Sequence, residues 1–191
     1  MGGSFDPAHD AHLELARRAR AQLCLERVDF LPAFTPPHKS GEQLTPAHHR
    51  LRILELLLQA EEGVSIDTRE LRAGHPVYTA RSLASIAAEH EGALLFFLLG
   101  EDSFRALDGW RDPEGIAALC QLIVAPRRAD GVPSRRPTTW RNTRVHWLDF
   151  HSDLSSTRVR ESLRASGTPD GLPAVVLSYI RAHALYRAGP T

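Results

Sequence analysis

Short apolar runs alternate along this chain with longer amphipathic stretches, and the alternation predicts a parallel sheet covered by helices. Segments 28–31, 64–67, 94–99, 122–124 and 145–148 read as strands. The run ALLFFLL at 93–99 is apolar without alternation, as expected of a strand buried on both faces. Helical periodicity is found over 11–23, 46–58, 80–89, 113–119, 157–165 and 173–183. Thr45 before Pro46 and Asp112 before Pro113 each read as an N-cap with proline at the first helical position. Segment 127–141, rich in Pro, Arg and Thr, reads as an exposed loop. There is no internal repeat, low-complexity tract or interdomain linker, so the pattern implies one domain.

Composition narrows the function classes. The chain has 191 residues, 42% hydrophobic and 24% charged, which describes an ordinary globular protein with room for one well-buried core. Lys+Arg and Asp+Glu both number 23, so any anion recognition must be local rather than a property of the whole-molecule field. Cys24 and Cys120 lie in apolar surroundings without CxxC pairing and read as buried free thiols of a reducing cytoplasm. No stretch approaches the roughly 20 apolar residues of a membrane span, and no signal peptide is visible.

The densest chemistry opens the chain. Gly2-Gly3-Ser4-Phe5-Asp6-Pro7-Ala8-His9-Asp10-Ala11-His12 runs into the apolar positions Leu13, Leu15, Ala16 and Ala19. The glycines let backbone N–H groups approach an anion, and the following helix aims its positive end at the loop. His9 and His12, three apart, share one face and can touch one phosphate. The glycine spacing is neither the dinucleotide fingerprint nor the Walker loop. Such a loop is normally fed by a buried strand, commonly of about five residues. Only Met1 precedes it here, so the first strand is expected to be missing from the chain as given, through a late start.

Further candidates follow strands or open helices. Pro36-Pro37-His38-Lys39 follows the 28–31 strand and offers cationic heads, although such a tetrapeptide is usually a solvated turn. Gly100-Glu101-Asp102 ends the most apolar strand, where a carboxylate can hold ribose hydroxyls. Trp110 could stack on a flat heterocycle or fill the core. Tyr78-Thr79, after Gly74-His75-Pro76, could present N–H groups to a carboxylate or act as a cap. Ser155-Ser156-Thr157-Arg158-Val159-Arg160 opens a helix as a second anion site or an ordinary cap. His9 and His12 lack a His-Glu-x-x-His arrangement or a third ligand, so no protein-bound metal is expected.

Together these residues resemble the bacterial nicotinate-nucleotide adenylyltransferases of the nucleotidyltransferase superfamily. GGSFDPAHDAH is similar to that family's GG-T/S-FDPxHxGH signature, and PPHK, 74–79, GEDSFRALDGW and LSSTRVR match its later motifs in order and spacing. The resemblance spans nearly the whole chain. It implies a Rossmann-like doubly wound α/β fold in one nucleotidyltransferase domain over 1–191. The implied reaction is adenylyl transfer from ATP to nicotinate mononucleotide, giving nicotinate adenine dinucleotide and pyrophosphate.

Carried over by motif, His9, His12, Lys39 and Arg160 would be catalytic. Gly3, Ser4, Phe5, Gly100, Asp102, Ser156 and Thr157 would bind ATP, and Tyr78, Thr79 and Trp110 the nicotinate moiety. Mg2+ would ride on ATP. The implied partners are these small molecules in the cytoplasm, with no nucleic acid and no membrane, and a homo-oligomer is left open.

There are two departures. Ala11 stands where the family has glycine, and activity is expected to survive it. The absent first strand, central in the family's sheet, predicts poor folding that an upstream extension would restore. Rival readings are transfer to nicotinamide mononucleotide or phosphopantetheine, and an inactive nucleotide-binding module.

Overall fold

A computed structural model describes residues 1–35, 44–126, 136–165 and 168–187. Its elements follow in chain order: β1 (Gly2–Gly3), α1 (Asp10–Leu23), β2 (Val28–Pro32), α2 (Ala47–Leu58), β3 (Val64–Ile66), α3 (Arg69–Ala73) and α4 (Thr79–Glu89). Then come β4 (Phe96–Gly100), α5 (Glu101–Ala106), a 3-10 turn (Leu107–Gly109), α6 (Pro113–Leu119), β5 (Gln121–Ala125) and β6 (Thr139–Trp140). The series closes with β7 (Thr143–Trp147), α7 (Ser156–Ala165) and α8 (Ala174–Ala182).

Two hydrogen-bonded ladders form, in the orders β1-β2-β3 and β4-β5-β7-β6, parallel throughout except where β6 meets β7. They meet at β1 and β4, where a Cβ on Gly2 would lie 3.4 Å from the Phe97 ring. The spatial order 3-2-1-4-5 is the doubly wound arrangement, with its switch point between β1 and β4.

The unalternating apolar strands are explained by two cores. Leu98 and Ile123 turn one way, into a cluster with Phe5, Ala16, Phe30, Ile53, Leu54, Val176 and Ile180. Phe97, Leu99, Leu122 and Val124 turn the other way, to meet Leu83, Leu107, Ile116 and Val145. Side chains alternate across a strand, so a strand with helices on both faces needs an apolar residue at every position.

The expected elements are present with shifts of one or two residues at most ends, and five findings differ from the sequence reading. The first strand, expected to be missing, is represented by Gly2–Gly3, in register with Leu31 and Pro32 of β2. Thr139–Trp140, assigned to an exposed loop, pairs antiparallel with β7. The short α3 and α5 were not foreseen, because five or six residues carry no readable helical period. Cys24, expected to be buried, is exposed at the left-handed C-cap of α1, while Cys120 is buried with its thiol pushed up to about 12. Asp112 caps α6 as expected, accepting the Gly115 N–H at 3.0 Å, but α2 begins after Pro46 without a side-chain cap from Thr45. Among the described residues no helix is long and apolar enough to cross a membrane.

Candidate active site

The carboxyl ends of β1 and β4 open onto a cavity of about 560 Å³. The opening loop supplies one part of its wall. Phe5 takes a left-handed backbone (φ +48°), which costs a non-glycine residue roughly 1–2 kcal/mol. Its ring packs edge-on to His12, with centroids 5.1 Å apart, and against Phe30 at 5.6 Å. A Cβ on Gly3 would come within 3.1 Å of the Phe5 ring, which would have to shift by a few tenths of an ångström to admit it.

His9 stands at the N-cap of α1 and His12 one turn later, with ring centroids 3.8 Å apart. The His9 backbone N–H donates to His12 Nδ1 at 3.2 Å, so the proton of neutral His12 resides on Nε2. Burial, with His12 nearby, pushes the His9 imidazole down to about 2, and burial pushes His12 down to about 4. Both rings are therefore neutral at pH 7. Buried His9 Nδ1 has no hydrogen-bond partner, which leaves a polar atom unsatisfied beside the cavity.

An arginine not foreseen from the sequence holds this loop in place. Arg50 of α2 is 1% exposed and donates to four carbonyls: Thr45 at 2.9 Å, Ser4 at 2.7 Å, Ala33 at 2.8 Å and Phe34 at 2.7 Å. It ties the backbone of the opening loop to the end of β2. The signal was present in the spacing. Arg50 precedes Ile53, Leu54 and Leu57 by three, four and seven residues, so it sits on the apolar stripe of its helix.

Arg160 and Ser156 reach the same loop from α7. Arg160 Nη1 donates to the Asp6 carbonyl at 2.6 Å and Nη2 to Thr157 Oγ1 at 3.3 Å, while Ser156 Oγ donates to the Pro7 carbonyl at 2.9 Å. Neither α4 nor α7 has an acidic residue in its first turn, and Ser155 Oγ accepts the Arg158 N–H at 3.2 Å as a cap of α7.

The opposite wall is aromatic and more open. Tyr78, 50% exposed, occupies the N-cap position of α4 immediately before Thr79, without a side-chain cap hydrogen bond. The Arg111 guanidinium lies 5.9 Å from the Tyr78 ring centroid, and Trp110 packs 6.2 Å from Phe97. Glu70, also unforeseen, lines the cavity while accepting a 2.6 Å hydrogen bond from Ser82, and burial raises its carboxyl above the usual range.

Of the residues singled out in the sequence, Gly3, Ser4, Phe5, His12, Tyr78, Thr79, Gly100, Trp110 and Ser156 line this one cavity. His9 lies behind His12, and Arg160 and Thr157 stand just outside the lining, engaged with the loop and with each other. Asp102 is exposed in the first turn of α5, and Ser103 takes the lining position instead. Ala11, the departure from glycine, does not line the cavity. Lys39 and the rest of Pro-Pro-His-Lys lie outside the described residues. Among the described residues no group of three His, Cys, Asp or Glu side chains is arranged to hold a metal ion.

A cytidylyltransferase-like family model matches residues 1–162. A Chromobacterium violaceum protein named "Probable nicotinate-nucleotide adenylyltransferase" is 36% identical, over 98% of this chain and 97% of its own length. A Thermomicrobium roseum protein of the same name is 37% identical, over 98% of this chain and 90% of its own. Among solved structures, a Plasmodium falciparum nicotinic acid mononucleotide adenylyltransferase complexed with NaAD superposes with a TM-score of 0.75. That likeness covers 97% of this chain and 94% of the other at 17% identity, and it speaks to the fold alone.

Proposed function

Because this chain belongs to the cytidylyltransferase-like family and groups there with nicotinate-nucleotide adenylyltransferases, we propose that it joins ATP to nicotinate mononucleotide, giving nicotinate adenine dinucleotide and pyrophosphate. The observation that carries this reading is one cavity lined both by a phosphate-type loop with its imidazole and by a Trp-Tyr wall beside a helix N-terminus.

The attacking group is a phosphate oxygen, already anionic at neutral pH, so the reaction needs no general base. The protein has to align that oxygen with the α-phosphorus and stabilise charge spreading onto pyrophosphate. Neutral His12, with its proton on Nε2, is a hydrogen-bond donor to a phosphate oxygen. An arriving triphosphate raises the pKa of both imidazoles, so the pair gains positive character as charge builds. Arg160 and Lys39 add fixed charge, and Ser156 and Thr157 open α7 toward the same oxygens. Gly3, Ser4 and Phe5 cradle ATP, and Gly100 and Asp102 serve its adenosine. Mg2+ enters as part of the Mg-ATP substrate.

Trp110 stacks on the pyridine ring, and Tyr78 and Thr79 present the α4 N-terminus to its carboxylate. Arg111, beside Tyr78, favours an acid over the amide. We take 1–191 as one nucleotidyltransferase domain working in the cytoplasm, a setting in keeping with its free cysteines.

The test is pyrophosphate release from Mg-ATP with nicotinate mononucleotide and, in parallel, nicotinamide mononucleotide. Faster release with the acid is expected. Release with neither acceptor from folded protein that binds ATP would replace this reading with that of a binding module.

A further inference from the structure

The C-terminal segment lies beyond the residues matched by the family model, yet it reaches back to the phosphate loop at two points. Tyr186 donates its hydroxyl to Asp6 Oδ1 at 2.7 Å, and the Thr45 N–H donates to Asp6 Oδ2 at 3.2 Å. The Asp6 carbonyl is the acceptor for Arg160, so three separate parts of the chain converge on this one buried residue. At the second point, the Asp10 N–H at the start of α1 donates to the Gly171 carbonyl at 2.9 Å. Gly171 takes φ +76°, and a Cβ there would collide with the Leu154 side chain at 2.1 Å, so glycine is required at this turn. Val176 and Ile180 of α8 anchor the segment in the core.

We infer that Tyr186 is a positioning residue for adenylyl transfer, acting through Asp6 to fix the loop that carries His9 and His12. This rests on the function proposed above. The chemistry asks for such a residue. A buried carboxylate three residues before His9 would be left unsatisfied and free to wander, and the loop with it, unless donors occupied its oxygens. Tyr186 and Thr45 occupy one oxygen each, and Arg50 and Arg160 hold the backbone on either side. The Tyr186 hydroxyl is buried, and burial beside Asp6 raises its pKa, so it stays protonated as the donor.

Tyr186→Phe removes only the hydroxyl. The expected result is a loss of about tenfold or more in kcat/KM for ATP, with the KM for nicotinate mononucleotide unchanged and the far-UV spectrum retained. In an Asp6→Asn background the same change should cost less than about twofold, because its partner is already altered. Amide hydrogen exchange read over residues 2–12 in the absence of substrate should be faster in Tyr186→Phe. Wild-type-like kinetics together with unchanged loop exchange would overturn the inference, as would equal loss for both substrates in step with the unfolded fraction. If wild type releases no pyrophosphate, the functional reading fails, and loop exchange alone decides whether Tyr186 holds the loop.

Discussion

The glycine–histidine loop and the aromatic residues line one cavity and are built on opposite plans. Around the loop, polar contacts are buried and shared: Arg50 serves four carbonyls, and Asp6 receives donors from three parts of the chain. Across from it, Tyr78 is half exposed, Arg111 rests on its ring, and Trp110 sits at the end of a short turn. The contrast fits a division of labour. Charge stabilisation depends on donors that need not reorganise as the reaction proceeds, whereas a flat ring can be gripped by surfaces that adjust to it.

Breaking the loop side at its centre should have the largest effect. Arg50→Leu leaves four carbonyls without their donor, so a destabilisation of about 3 kcal/mol or more is expected in urea titration. His12→Ala should spare the fold but lower pyrophosphate release by about 10²–10³-fold, the usual cost of removing one preorganised donor. The two histidines also predict a pH response. Their folded pKa values, about 2 and about 4, lie below the ordinary value of 6.5, so the unfolded chain binds more protons between these limits. Stability from this source is complete above about pH 6.5 and is lost as pH falls, down to about 4 for His12 and about 2 for His9, visible as a falling melting temperature that His12→Asn makes less steep. On the aromatic side, Trp110→Ala should raise the KM for nicotinate mononucleotide by about tenfold and also lower the melting temperature, because its packing on Phe97 is lost. Ala11→Gly should have the smallest effect, with ATP KM within about twofold and helix stability reduced by up to about 1 kcal/mol.

Much of this was legible in the sequence because it is local. The strand runs, the Asp112-Pro113 start and the glycine–histidine loop each depend on residues a few positions apart. What escaped depends on distant partners. Arg50 meets Ser4 across 46 positions and Tyr186 meets Asp6 across 180; the apolar stripe of α2 marks Arg50 as buried, but no pattern names either partner. Asp102 shows the complementary limit. A motif fixed its neighbourhood, but the turn of α5 decides which residue faces the cavity, and Ser103 has that position.

The meeting of β1 and β4 has one more consequence. Among the described residues no ladder joins them, so the two halves of the sheet meet along a crease where the Phe97 ring lies against Gly2. The glycine–histidine loop belongs to one half, and Tyr78 and Trp110 adjoin the other. A dinucleotide spanning the crease would act as mortar between the two blocks, and departure of the product would leave the joint free to flex.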